Sequence, residues 1–446
     1  MDCFSKWTIS IFFVFTLLIR LYAIQLPVWN TKEAFQIDLS RNLKKQIIRK
    51  FIVLSFIFFL LGTVLLYRFT SGHYGENIAW WTLVFWGNAP LLLTYSTQFL
   101  AEMGMLSSFL GTLYFISQYF NTKRYGYYWA ALLCGIATPA FRYYGVFLFL
   151  PLLFYWWKHA PKINFRMICF FILPIIIPYL WLRYSLTAVE NPITMHQNYE
   201  NWHWGMWKLY LWDSPFYYEI MFTRFSQYIL TYIGFGFFII GILLNFRDLF
   251  LVSSLLMMVL SMGIFTVGHH NHEYYQVKFI PFLVILASSG TVYIFGKLKY
   301  LKRSILVTIL TVLFCLSLGQ AYKLLRYDSS GKVLGKKLAL YSNPTDKILM
   351  IQDVPDPVVL IYSQRQGWLK NKSFLQEKMK IPQEASLLGI RFVFSQFVFP
   401  DFLKNKYTVL WQESGPMGRQ HKCGAIKFFF GNCHHDTSTL MILKPH

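Results

Sequence analysis

Apolar runs of about 17 to 22 residues recur through the first three quarters of the chain, each closed by a short polar segment. A helix of that length matches the thickness of a bilayer's hydrocarbon core. The pattern predicts about eleven membrane spans, near residues 7–26, 51–67, 78–98, 101–120, 127–142, 144–158, 167–186, 227–246, 249–268, 277–295 and 303–321. The run 127–158 is interrupted at Arg142 and reads as two spans, because a single span would put the basic loops on different sides. No small-residue cleavage site follows the first run, so it reads as a retained helix rather than a signal peptide.

From about residue 326 hydropathy falls and the apolar stretches shorten. KILMIQDV (347–354) reads as a buried strand entering a Pro-rich turn, and RFVFSQFVF (391–399), YTVLW (407–411) and TLMIL (439–443) as further strands. AIKFFFG (425–431) is a candidate hairpin arm. The expected architecture is a polytopic α-helical membrane domain over residues 1–325 and a small α/β or α+β soluble domain over 326–446. No internal repeat and no low-complexity segment is evident.

Composition fits this picture. The chain is 55% hydrophobic and 20% aromatic with mean hydropathy +0.40, more apolar surface than a soluble protein of 446 residues could bury. A net charge of +22 would suggest nucleic acid in a soluble protein. Here Lys and Arg cluster in short loops and no basic region has a matching soluble fold, which excludes that class. NTKR (121–124), KHAPKINFR (158–166), FRD (246–248) and KLKYLKR (297–303) fall on one side, cytoplasmic by the positive-inside rule. The N-terminus is then cytoplasmic. Loops 27–50, 99–101, 187–226 and 268–276 and the C-terminal domain face outward, periplasmic or extracellular in a bacterial plasma membrane. Loop 27–50 is basic yet outward, so its cations either face phosphate or anchor an interfacial helix. Cys423 and Cys433 would lie in the outward domain as a disulfide or, with His421, His434 and His435, as metal ligands.

The segment HHNHEYYQVKFIPFL (269–283) concentrates His, Glu, Tyr, Gln and Lys beside hydrocarbon in a chain that is only 14% charged. Ionisable groups in such places usually line a site. HEYYQ (272–276) followed by a Pro-bearing helix resembles bacterial members of the GT-C membrane glycosyltransferases, relatives of protein O-mannosyltransferases and aminoarabinose transferases. The resemblance implies transfer of a sugar from a polyprenyl-phosphate donor to a lipid, glycan or protein acceptor, lipopolysaccharide among them.

LPVWNTKEAFQIDLSRNL (26–43) is similar to the start of that family's first outer loop. Aligned this way, Glu33 takes the position of the catalytic base, Asp38 is a second acid, and Ser40 and Arg41 fall on matching positions. Lys32 stands where the family has an acid and Phe35 where it often has an Arg. Residues 27–50 alone separate the first two spans, a shorter loop than the family's. STQFLAEMGML (96–106) resembles the second outer loop, where the acid before Met, here Glu102, organises donor phosphate or a metal.

Sugar transfer needs a base, cations for the phosphate leaving group and a lipid groove. Arg41, Arg142 and Lys278 supply cations. His272, Glu273, Tyr274, Tyr275 and Gln276 supply hydrogen-bonding groups. A divalent cation is an open cofactor; His269, His270 and His272 are possible ligands, though without an i, i+4 pair. Trp and Tyr of loop 187–226 would stack on sugars or form an interfacial belt. PDPVVLIYSQRQGW (355–368) resembles a phrase in the family's outer domains. A lipid or solute transporter, with mid-helix charges and related halves, and a catalytically degenerate GT-C-like subunit are the competing classes.

Overall fold

The computed structural model describes residues 41–97, 101–187, 212–297, 303–325, 330–343, 347–352, 363, 365–371, 390–395, 407–415 and 438–445. Glu33, Asp38, Cys423 and Cys433 lie outside the described residues. Arg41 opens the first described helix. The chain divides into two compact units with a boundary between Leu325 and Arg326, and residues 41–45, at the start of the first described helix, group with the second unit.

Up to that boundary the described helices are α1 (Arg41–Tyr74), α2 (Glu76–Asn88), α3 (Pro90–Tyr95), α4 (Glu102–Thr122), α5 (Tyr125–Phe141), α6 (Phe149–His159), α7 (Phe165–Thr187), α8 (Pro215–Thr223), α9 (Thr231–Leu244), α10 (Leu249–Ile264), α11 (Thr266–Asn271), α12 (Ile280–Lys297) and α13 (Arg303–Leu325). Among the described residues, Ile52–Tyr74, Glu273–Lys297 and Ile305–Tyr322 are long and apolar enough to cross a membrane. Pro215–Ile229 and Thr231–Leu244 make a fourth if the pair, bent by 103°, counts as one span.

Several apolar runs are broken, each for a local reason. The stretch expected as one span over 78–98 divides at Ala89, whose extended backbone (φ −67°, ψ 115°) follows from the proline after it. Pro90 then opens α3, where its missing N–H costs nothing. The bend before α9 follows a π-helical turn, Arg224–Ile229, and passes through Thr231, which holds φ 60°. That is an uncommon conformation for a β-branched residue. Arg142 (φ −150°, ψ 117°) separates α5 from a 3₁₀ turn, Tyr143–Leu148, that runs into α6.

The core of this unit is built from the inward faces of α1, α2, α4, α6 and α12. Trp86 is buried, stacks on Phe59 at 6.0 Å and donates its indole N–H to Thr63 Oγ1 at 2.9 Å. Outward faces carry large apolar residues in the open, among them Ile175, Ile176, Ile177 and Leu180 of α7. Helices apolar all round, with backbone bonds satisfied internally, suit hydrocarbon as solvent. α9 and α12 come into backbone contact: the Cα atoms of Gly241 and Gly290 face the carbonyls of Leu286 and Phe237, with no room for a β-carbon. Small residues permit such backbone contact between membrane helices.

The second unit holds α14 (Ser330–Tyr341) and a five-stranded sheet of β1 (Lys347–Gln352), β2 (Gln366–Asn371), β3 (Ile390–Ser395), β4 (Tyr407–Gly415) and β5 (Ser438–Pro445) in the order β2-β1-β3-β5-β4. β1 runs parallel to β2 and β3, while β5 is antiparallel to β3 and β4. QGWLKN forms β2, a strand that alternation did not single out. Arg365, just before it, closes the C-terminus of α14. Its Nε donates to Ser342 Oγ at 3.0 Å, and its Nη2 to the carbonyls of Ser342 at 2.6 Å and Ala339 at 3.3 Å. A cation on orphaned terminal carbonyls is favourable.

Candidate active site

Glu102 is the first residue of α4 and is fully buried, a place where a helix's N-terminal dipole favours negative charge. Its Oε1 takes two charge-assisted contacts. Arg142 Nη2 lies at 2.9 Å, and the Tyr144 hydroxyl donates at 3.0 Å. Both donors come from the interruption between α5 and α6. An uninterrupted helix would carry Arg142 past the carboxylate, so the extended residue is what aims it. Gly145 is needed beside it: a β-carbon there would press on the Thr138 carbonyl and on Met105 of α4. The second carboxylate oxygen, Oε2, is buried without a hydrogen-bond partner, as is Arg142 Nε.

A second interruption faces the first. His272 is extended (φ −132°, ψ 121°) after α11, and a 3₁₀ turn, Glu273–Phe279, leads into α12. The two breaks share a local sequence, Tyr143-Tyr144-Gly145-Val146 and Tyr274-Tyr275-Gln276-Val277, each followed by a Pro-bearing helix. Their tyrosines pack on one another. Tyr143 and Tyr275 share a hydroxyl contact of 3.2 Å, and the Tyr144 and Tyr275 rings lie 4.8 Å apart. Tyr274 stacks on Tyr275 at 5.0 Å and on His272 at 5.0 Å, and the Arg142 guanidinium sits 5.7 Å over the Tyr274 ring.

Lys278 is fully buried, and its Nζ has no hydrogen-bond partner. It lies 4.6 Å from the centre of Tyr144, 5.1 Å from Phe279, 5.6 Å from Tyr275 and 5.8 Å from Phe147. Aromatic faces attract a cation but do not replace its counter-ion.

Arg224 anchors the same region from the π-helical turn. It is buried and donates to the carbonyls of His269 and His270, the latter at 2.9 Å. Glu273 acts on it electrostatically. The His269 ring bonds Ser261 Oγ through Nε2 and the Gln276 amide through Nδ1, each at 3.1 Å, and stacks on Phe279. This orientation spends His269 on packing. Among the described residues no group of three or more His, Cys, Asp or Glu is arranged to hold a metal, so the histidines 269, 270 and 272 do not form a ligand set.

Burial, reinforced by the Lys278 and Arg224 charges, holds His269 well below the usual imidazole range. The unfolded chain therefore binds a proton near pH 6.5 that the folded chain refuses. Stability is complete above that pH and falls as pH drops through it, down to the folded-state value. Melting curves in detergent from pH 8 to 5 should show this decline, and His269→Gln should flatten it; an unchanged slope would show that another group controls it.

Of the residues singled out from sequence, Glu102, Arg142, Tyr274, Tyr275 and Lys278 meet here, with His272 at the edge. Gln276 points instead to His269 and, at 3.7 Å, to Met221 Sδ. Arg224 and Tyr144 were not singled out. A lone arginine in the apolar stretch MFTRFSQYIL and the repeated Tyr-Tyr pair were the signals for them.

No family model matches the chain, and no curated protein matches it. Solved structures do resemble it. The apo oligosaccharyltransferase of Archaeoglobus fulgidus has 13% identity and a TM-score of 0.49, with 89% of this chain and 70% of that one aligned. The apo aminoarabinose transferase ArnT of Cupriavidus metallidurans aligns over 87% of this chain and 83% of its own, at 11% identity and a TM-score of 0.50. The chain has the GT-C fold. The helices long and apolar enough to cross a bilayer, with large apolar side chains on their exposed faces, make the protein an integral membrane protein. At such identity the likeness is one of architecture, and the GT-C framework assigns no residue its role.

Proposed function

We propose that this chain is a glycosyltransferase that moves a sugar from a polyprenyl-phosphate donor to a lipid, glycan or protein acceptor at the outer face of a bacterial plasma membrane. The observation that carries the reading is the meeting of Glu102, Arg142 and Lys278 at facing breaks in a GT-C fold. Cations held in a water-poor site stabilise a departing phosphate far better than cations in water. ArnT has been solved with undecaprenyl phosphate bound, which makes an isoprenoid carrier the natural donor class. His272 and Tyr274, half-buried at the rim, are placed to stack on or hydrogen-bond a sugar.

In this reading residues 1–325 form the transferase domain with about eleven spans and a cytoplasmic N-terminus, and 326–446 form an outward soluble domain. Glu33 deprotonates the acceptor with Asp38 as the second acid, and Arg41 joins Arg142 on the phosphate. A catalytically degenerate subunit is the second reading, favoured by the shortness of segment 27–50.

Purified protein given radiolabelled polyprenyl-phosphate sugar and a membrane-lipid extract tests both. Label transfer that Glu33→Gln abolishes supports the enzyme and its base. Transfer that survives Glu33→Gln removes Glu33 from the role, while lipid binding without transfer supports the subunit.

A further inference from the structure

Away from the site, an apolar groove of about 410 Å³ opens between α6 and α7. It is lined by Leu150 and Leu153 of α6, Ile163 of the connecting loop, and Met167, Ile168 and Phe171 among the α7 residues. Trp157 continues the α6 stripe one turn beyond Leu153 and is 51% exposed. At the loop end the groove meets concentrated positive charge. Lys162 precedes the lining residue Ile163, Lys158 lies in the last turn of α6, and both are exposed. Arg166 stands at the same end, donating to the Tyr119 hydroxyl at 3.1 Å with its guanidinium 4.6 Å over the Tyr125 ring. That contact ties the loop to α4 and α5, next to Lys123 and Arg124. From residue 103 to residue 189 the sequence has no Asp or Glu, so α6 and α7 themselves carry no carboxylate; Asp248, the N-cap of α10, acts on His73 from the same region as Lys158.

We propose that this groove is a binding site for an anionic phospholipid. One acyl chain lies along Leu153, Ile168 and Phe171, and the phosphate sits on Lys158 and Lys162. The apolar wall gives affinity for any lipid chain, whereas the lysines give the preference for negative charge. Trp157 sits at headgroup depth, where an indole has an apolar body and a polar edge to place. The site is independent of the donor-phosphate reading, since none of its residues belongs to the Glu102 cluster.

Protein in detergent is titrated with phosphatidylglycerol or phosphatidylcholine vesicles, and retained lipid is counted by native mass spectrometry. The expected result is preferential retention of phosphatidylglycerol, with affinity for it about tenfold or more weaker in Lys158→Gln/Lys162→Gln and unchanged for phosphatidylcholine. Both lysines are exposed, so this variant keeps its fold. Ile168→Trp, which fills the groove, should lower retention of both lipids. Equal retention of the two lipids by the native protein would overturn the proposal. So would unchanged phosphatidylglycerol affinity in the double variant, or light scattering that shows a second copy of the chain released by Ile168→Trp.

Discussion

Glu102→Leu is expected to destabilise the folded protein by about 3 kcal/mol, because it strands Arg142 in a low-dielectric setting without its counter-charge. Breaking a buried pair by removing one partner costs about 3–5 kcal/mol, and the 30% exposure of the Arg142 side chain sets the value at the lower end. The Tyr144 hydroxyl loses its acceptor in the same step. Arg142→Met added to Glu102→Leu should recover most of the loss, since a matched apolar pair no longer holds an uncompensated charge. Thermal melts of the four members of this cycle check the claim. Additive losses would mean the two groups do not depend on each other. Glu102→Gln separates stability from chemistry. It is isosteric and can still accept from Tyr144, yet it removes the charge that holds the guanidinium. Under the proposed function it should keep the fold and lose about 100-fold or more in transfer, the scale for losing a preorganised electrostatic contact.

The parts of this arrangement that sequence revealed are those where chemistry contradicts its surroundings. An acid at Glu102 and cations at Arg142 and Lys278 stand out because hydrocarbon penalises them. The interruption at Arg142 was legible from one charge inside an apolar run. Segment lengths were less legible. A run of apolar residues says how much oil a stretch tolerates, but not whether one helix or two short ones pass through it. Ala89-Pro90 divides a run that reads as one span, and the turn at Arg224–Ile229 bends the chain just where the expected span 227–246 begins. Tyr144 escaped notice because tyrosine is an ordinary interfacial residue, and its role comes only from the carboxylate that α4 brings to it. In the second unit β1, β4 and β5 follow apolar alternation or β-branched runs, whereas QGWLKN mixes polar and apolar residues with no period and shows as β2 only through its parallel pairing with β1.

Gly290→Ala and Gly241→Ala are each expected to cost about 3 kcal/mol or more, at or beyond the upper end of the overpacking range. The added methyl would meet backbone, the Phe237 carbonyl in one case and that of Leu286 in the other. A side chain in the way could change rotamer, but a carbonyl locked in its own helix moves only if α9 and α12 separate. Gly236 and Gly296 lie on the same two helices with nothing within 4 Å of an added β-carbon. Alanine there should be neutral or stabilising by up to about 1 kcal/mol through helix propensity. Melting temperatures of the four variants in one detergent make the comparison, and similar values for all of them would refute the close contact. The consequence reaches the site, because α12 grows directly out of the turn that carries Tyr275 and Lys278. Parting α9 from α12 should loosen the Lys278 enclosure and, if the proposed chemistry holds, reduce transfer even in a variant that remains folded.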